Sequence, residues 1–303
     1  MDRFLLGLAK FTDGYLKSLH LLGKARPSRS TNSAQRLVVA ERRVVAPDVV
    51  SLRLVGDGPL PAWQPGCHLD VHLASGLRRQ YSLCGDPADV DGYRIAVRRI
   101  GVGSTEVHSL RVGDTVDVRG PRNAFPFVPE GPVLFVAGGI GITAILPMVH
   151  ESVRLGLDWR LVYTGRSRES MPFLDELPSE RVEVRVGASP ELLRHADPEG
   201  AVYCCGPASM LATVRHDFAS KRLHFERFSP PPIVDGRPFT LELRGSGVVL
   251  SVPADRSALD VLKDLRPNVP YSCRQGFCGT CEVGGVRICV ARPTGDRLVL
   301  EDL

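Results

Sequence analysis

The sequence predicts a multidomain chain of three folded units: a small antiparallel β-barrel, an α/β unit on a parallel sheet, and a short β-rich module bearing cysteines. Three observations lead there. From Leu37 to about Phe127, short β-rich runs are split by turn residues, as in small barrels. From Val133 to Cys205, continuous apolar runs alternate with helical segments, the mark of a parallel sheet. Beyond the proline-rich stretch from Ser229 to Pro238, four of the eight cysteines crowd together as Cys273, Cys278, Cys281 and Cys289.

Residues 1–34 come first. Phe4, Leu5, Leu8, Phe11, Tyr15, Leu19 and Leu22 fall at helical intervals with Lys10, Asp13 and Lys17 between them. Such a helix either packs on the body or touches a membrane surface or a partner. The polar run from Arg26 to Gln35 reads as a linker. The barrel unit, 35–129, has strands at Val49–Gly56, Cys67–Leu73, Arg78–Cys84 and Tyr93–Arg99, several alternating with period two. The α/β unit, 130–228, opens with the buried-strand run Val133–Ala137, followed by a glycine turn and a helix. Further strands are expected at Trp159–Tyr163, Val182–Val186 and Ala201–Cys205. A linker at 229–237 precedes the last unit, 238–303. There a hairpin of FTLELRG and VVLSVP leads to a helix from Ser257 to Leu265, with Ser257 as N-cap.

Composition excludes several classes. Apolar residues at 43% and charged residues at 24% suit a folded chain rather than a disordered one. A net charge of +4 exerts no strong pull toward nucleic acid. No apolar run approaches the ~18 residues that span a bilayer. The N-terminal apolar run is broken by charges, and no small-residue cleavage site follows. The expected location is the cytoplasm, where clustered thiolates point to metal rather than to disulfides.

Cys273, Cys278 and Cys281 form C-x4-C-x2-C, the plant-type [2Fe–2S] spacing, and Cys289 supplies a fourth thiolate. Gly276 and Gly279 let the backbone come close to the cluster. A zinc site would instead show paired C-x2-C halves. In the α/β unit, the first strand runs into Gly139-Ile140-Gly141-Ile142-Thr143-Ala144. This turn either seats a diphosphate on helix-end amides or simply links strand to helix. No acid follows the second strand. Arg166 and Arg168 stand there, to meet a 2′-phosphate or to remain solvated. In the barrel, Arg79, Tyr81, Ser82 and Leu83 lie on one strand, and Gly101 to Thr105 opens a helix. An arginine with glycine-rich amides can hold a phosphate and a tyrosine can flank a ring, unless this is only a charged barrel strand.

Taken in order, these motifs resemble the phthalate dioxygenase reductase family, which includes vanillate demethylase reductases, over roughly residues 35–303. The resemblance implies a flavin-binding barrel, an NAD(P)-binding α/β domain and a β-grasp, ferredoxin-like C-terminal domain. The family's R-x-Y-S strand is Arg79, Tyr81 and Ser82, followed by Leu83, and binds FMN, with FAD less expected. Its glycine loop for the FMN phosphate is Gly103, Ser104 and Thr105. The P-R-N-x-F-P stretch is Pro121–Pro126. The nicotinamide turn is Gly138–Thr143, including Gly139, Gly141 and Thr143, and C-G-P is Cys205, Gly206 and Pro207. The H-F-E-x-F strand spans His224–Phe228 and sets Glu226 and Phe228 by the flavin.

The resemblance further implies that NADH or NADPH reduces FMN, which hands electrons singly to the [2Fe–2S] cluster and on to a separate acceptor. Ser82, Cys205 and Glu226 are the residues expected beside the reacting atoms, and Arg166 beside the nucleotide. The acceptor would be a Rieske non-haem iron oxygenase or demethylase, or a cytochrome P450. Arg274 and Arg287 near the cluster either help it dock or are plain surface residues, and a monomer suffices. One departure from the family favours an alternative, a redox-sensing or degenerate flavoprotein with an impaired cluster. Only EVGGVRI separates Cys281 from Cys289, a much shorter link than usual. Gly284-Gly285 can turn a two-residue hairpin. Cys281 would then face Ile288, leaving Cys289 on the opposite side unless a bulge or twist intervenes.

Overall fold

The computed structural model describes residues 34–301 except 129–130, 188–190, 219–221, 231–232, 268, 272 and 277–278. The helix expected over residues 4–22 lies outside the described residues. Six antiparallel strands build the first unit: β1 (Gln35–Ala46), β2 (Val49–Val55), β3 (Cys67–His72), β4 (Arg78–Ser82), β5 (Gly92–Arg98) and β6 (Thr115–Asn123). Their order is β4-β3-β6-β1-β2-β5. The two ends of that row meet. Leu83 bridges Ile95, and the Cys84 amide donates to the Arg94 carbonyl at 2.9 Å. A sheet closed in this way has no free edge. Period two fills the inside with Leu37, Val39, Leu52, Leu54, Leu69, Val71 and Ile95. Helix α1 (Val102–Ser109) spans the way from β5 to β6.

The second sheet is parallel throughout. It is made of β7 (Val133–Gly138), β8 (Trp159–Gly165), β9 (Val182–Val186), β10 (Ala201–Cys205) and β11 (Leu223–Glu226), in the order β11-β10-β7-β8-β9. Helix α2 (Ile142–Arg154) covers one face and α3 (Ala208–Asp217) packs on the other. The strand order reverses between β7 and β10, where ligands bind beyond the carboxyl ends of such sheets.

The barrel and the parallel sheet share one core. Ala46, Val49, Cys84, Ala96 and Phe125 of the barrel pack with Phe135, Ala137, Ile145 and Tyr203 of the sheet unit. Arg94 fixes the alignment of the two. Its Nη1 and Nη2 donate to the Glu176 carboxylate, each at 2.7 Å, and Nε and Nη2 donate to the Cys84 carbonyl at 3.1 and 2.6 Å. Its guanidinium lies 5.0 Å from the Phe173 ring centre.

In the last unit, β12 (Phe239–Leu243) pairs antiparallel with β13 (Val248–Val252) and parallel with β16 (Arg297–Leu300). Helix α4 (Ala258–Leu265) buries Ala258, Leu259 and Leu262 against them. Ser257 caps it as expected, accepting from the Asp260 amide at 3.2 Å. A hairpin of β14 (Glu282–Val283) and β15 (Val286–Arg287) turns on Gly284 and Gly285, with φ of 56° and 81°. Two consecutive positive φ values define the tight hairpin turn that only such residues accept readily.

Truncating Arg94→Ala strands the Glu176 carboxylate and the Cys84 carbonyl in a partly buried seam. Global stability in urea should fall by about 2–4 kcal/mol. Arg94→Lys should recover only part of it, because an ammonium cannot serve both partners as a planar fork does.

Candidate cofactor sites and their junction

Strand β4 presents Arg79 and Tyr81 on one side and Ser82 on the other. The Arg79 guanidinium lies against Gly103 at the start of α1. A Cβ there would sit 2.9 Å from Arg79 Nε, so glycine gives the guanidinium stem room to lie this close. The first turn of α1 holds no acid, and Val102, Gly103 and Ser104 carry the amides that a helix leaves without internal acceptors. Arginine and amides together make a cradle that fits a phosphate. The Ser104 side chain is spent elsewhere. Its hydroxyl accepts from the Ile100 and Gly101 amides at 2.8 and 2.9 Å and donates to the Gly101 carbonyl. Thr105 is exposed and its amide is bonded to Gly101 O. Tyr81 is half-buried, its pKa pushed up to about 12 chiefly by burial, so its ring stays neutral. Leu83 is wholly inside the barrel core and offers packing rather than a contact.

At the switch point two turns press together. A Cβ on Gly141 would lie 2.2 Å from the Cys205 carbonyl oxygen. One on Gly138 would meet Pro207 Cδ at 2.5 Å, and one on Gly206 would reach Gly138 Cα at 2.9 Å. Gly139 takes φ of 52°, and its carbonyl accepts from the Tyr163 hydroxyl at 3.1 Å. Thr143 is buried and donates to the Ile140 carbonyl, holding the turn from within. Cys205 is fully buried, and burial, then the nearby Glu226 charge, pushes its thiol up. Glu226 stands opposite Cys205 in the parallel register and accepts from Ser82 Oγ at 3.5 Å. Burial lifts the Glu226 carboxyl to about 7. Ser82, Cys205 and Glu226 therefore come together across the two units. Arg166 is exposed beyond β8, where its charge acts on Arg98, and Phe228 lies 44% exposed past β11.

Three of the four clustered cysteines are described; Cys278 lies outside the described residues. Cys281 and Cys289 are buried, and Cys273 is half-buried. The short link departs from flat alternation, as a Cys281–Cys289 approach requires, and does so through a turn. The Ile288 amide still bonds to Cys281 O at 3.3 Å, as a flat hairpin requires. The Arg287 carbonyl then accepts from both Val290 and Ala291, at 3.0 and 2.9 Å. That turn curls the chain one residue past β15 and brings the Cys289 thiol into hydrogen-bonding contact with Cys281, beside the Gly276 amide. The Gln275 amide donates to Cys273 Sγ at 3.3 Å. Among the described residues no three His, Cys, Asp or Glu side chains converge as a single-ion site. Adjacent thiolates, an inward amide and glycines fit a four-cysteine binuclear cluster instead.

The cysteine loop is bonded to both other units. Gln275 Nε2 donates to the Arg227 carbonyl at 2.7 Å, and Arg79 Nη2 donates to Tyr271 Oη at 2.6 Å. Arg78 reaches Thr280 Oγ1 at 3.4 Å. The Tyr271 ring lies between two cations, with Arg79 and Lys263 each 4.3 Å from its centre. Tyr271, Gln275 and Lys263 were not singled out from the sequence, and only the cysteines beside Tyr271 and Gln275 marked the region.

Gly141→Ala tests the pressed turns. Its Cβ must push Cys205 away, so stability should drop by about 1–3 kcal/mol. The rate of flavin reduction by NADH should fall at least tenfold, read by stopped-flow absorbance, with flavin content retained.

Residues 241–294 match the family described as a 2Fe-2S iron-sulfur cluster binding domain, a range that takes in all four cysteines. The chain is 35% identical over 297 residues to phthalate dioxygenase reductase of Burkholderia cepacia, covering 88% of this chain and 90% of that one. A solved phthalate dioxygenase reductase, described as a modular structure for electron transfer from pyridine nucleotides to [2Fe-2S], superposes with a TM-score of 0.68 at 33% identity. It covers 89% of this chain and 98% of its own. An intact type IV self-sufficient cytochrome P450 monooxygenase matches with a TM-score of 0.67 at 33% identity, over 93% of this chain and 43% of that longer one. Such relatives do not favour a degenerate flavoprotein. No described helix is long and apolar enough to cross a membrane. With its closed barrel, its parallel sheet and its cysteine-bearing β-grasp module, the chain belongs to the phthalate dioxygenase reductase family of FMN, NAD and [2Fe–2S] oxidoreductases that serve oxygenase systems.

Proposed function

We propose that this chain draws electrons from NADH or NADPH and delivers them to a separate terminal oxygenase or demethylase, of the Rieske non-haem iron or cytochrome P450 type. The domains on this reading are the FMN barrel at 35–129, the NAD(P) unit at 130–228, a linker at 229–237 and the ferredoxin-like module at 238–303. It acts as a cytoplasmic monomer and binds no nucleic acid. One observation carries the reading. Consecutive residues of the β11 segment touch the two other units, Glu226 the barrel's Ser82 and Arg227 the cysteine loop's Gln275.

A bound FMN would supply two-electron chemistry with one-electron release, and a [2Fe–2S] cluster would supply a one-electron site. The chain supplies placement. Arg79, with the Gly103 and Ser104 amides, holds the flavin phosphate, and Tyr81 offers its ring face. Leu83 and Thr105 support that site through the barrel core and the start of α1. Gly139, Gly141 and Thr143 shape one wall for the nicotinamide, and Cys205, Gly206 and Pro207 the other. Arg166 stands at the nucleotide's far end, and Phe228 shields the reacting edge from water. Ser82 Oγ and the Glu226 carboxyl are positioned to hold or move a proton between them, and a carboxyl near pH 7 does so at little cost. Cys273, Cys278, Cys281 and Cys289 would hold the iron.

An anaerobic NADH titration followed by absorbance and low-temperature EPR, with iron and flavin quantified, tests this directly. The flavin band should bleach and a reduced [2Fe–2S] signal should grow with it. A bleached flavin with little iron and no EPR signal would sink the complete electron path.

Glu226 also predicts a pH effect on stability. Its folded-state pKa is raised from 4.5 to about 7. The stabilisation of its protonated form is full below about pH 4.5 and is lost as pH climbs through 7. Between pH 5 and 8.5, Tm should therefore fall more steeply for the native chain than for Glu226→Gln. Equal slopes would remove Glu226 as the titrating group.

A further inference from the structure

The faces of β11 divide sharply. Glu226 points toward the barrel, whereas Phe225 points toward α3 and remains 37% exposed. Two guanidiniums lie over its ring, Arg215 of α3 at 5.2 Å and Arg227 at 5.3 Å from the centre. Like charges repel, and Arg227 is held below its ordinary basicity by burial and by Arg215. Among the described residues neither guanidinium is paired with a carboxylate. The two arginines that flank the cysteines in sequence are different. Arg274 is paired with Asp260 and Arg287 with Glu282, so their charges are answered within the module. The unpaired site is also tied to the cysteine loop, since the Arg227 carbonyl accepts from Gln275, two residues past Cys273.

We propose that Arg215, Phe225 and Arg227 form the docking surface for the electron acceptor, and that the acceptor presents an acidic, aromatic-tolerant patch to it. The inference rests on the electron-transfer reading and names its partner's surface chemistry. Two cations stacked on one exposed ring, without counter-ions, invite carboxylates from a partner. A carboxylate seated there relieves the repulsion between them. It also sets the partner against the unit whose next contact is the cluster loop. Charge of this kind acts mainly on the rate of encounter.

The test uses the full holoprotein with two haem proteins as probes, the acidic soluble domain of cytochrome b5 and the basic cytochrome c. At about 10 mM ionic strength, where charges act over about 30 Å, the native chain should reduce cytochrome b5 in a reaction that slows at least tenfold by 0.5 M salt. The Arg215→Glu variant, which leaves the Arg227 contact to the cysteine loop alone, should lose at least fivefold in that rate at low salt and show a weaker salt dependence. Its reduction of cytochrome c should hold or rise. NADH-driven bleaching of the flavin and the EPR signal of the cluster should remain as in the native chain, without any acceptor. Loss of those internal signals in the native chain would overturn the electron-transfer reading itself. Intact internal signals with an unchanged cytochrome b5 rate in the Arg215→Glu variant would overturn the docking surface alone. A native cytochrome b5 rate indifferent to salt would overturn it as well, with no variant needed.

Discussion

Arg94 stands where two separate closures must coincide. The barrel has to seal between its first and last strands in the row, and the parallel sheet has to settle against that seal at one fixed angle. Hydrophobic burial supplies adhesion without direction; Ala46, Val49, Phe125, Phe135 and Tyr203 would tolerate small slides of one unit over the other. A guanidinium does not tolerate them, because its fork matches a carboxylate in one plane. Reading Cys84 with one edge and Glu176 with another, Arg94 converts a greasy contact into a set geometry. Ser82 lies two residues before that seam, so its separation from Glu226 depends on the same side chain.

The cysteine module is attached on different terms. Among the described residues, polar and cation–ring contacts tie it to the other units: Gln275 to a carbonyl, Tyr271 between Arg79 and Lys263, Thr280 to Arg78. Arg79 lies against both Gly103 and Tyr271, so a shift of its guanidinium is felt by a residue two positions before Cys273. Within the module the turn after β15 does the work that a longer excursion would otherwise do. Two amides on the Arg287 carbonyl are enough to rotate Cys289 to the side of Cys281.

Much of this was legible in the sequence, for stated reasons. Strands with clean alternation, the Ser257 cap, the glycine hairpin at 284–285 and the run into Gly139 all obey local rules, and the structure follows them. Strand β6 carries Gly120-Pro121, a pair with no strand signature, yet the chain passes through it while still paired with β3. Strand β16 is four residues long and gains its place only from pairing with β12. At the sites, residue types were legible but side-chain commitments were not. Ser104 turns its hydroxyl back on its own loop, Leu83 enters the barrel core, and of the bulge or twist that Cys289 needed to reach Cys281 the chain uses a turn after β15. The contacts of Tyr271 and Gln275 join segments about two hundred and about fifty residues apart, a distance over which no local pattern speaks.

The period of two along β11 has a consequence for how such a chain can diverge. Positions that face the barrel are bound by the contact Glu226 makes with Ser82, and their neighbours on the other face are free of it. A duplicate copy can therefore exchange Phe225, Arg227 and the facing Arg215 for other side chains while leaving Glu226 untouched. One strand then keeps an old contact on one side and takes up a new one on the other.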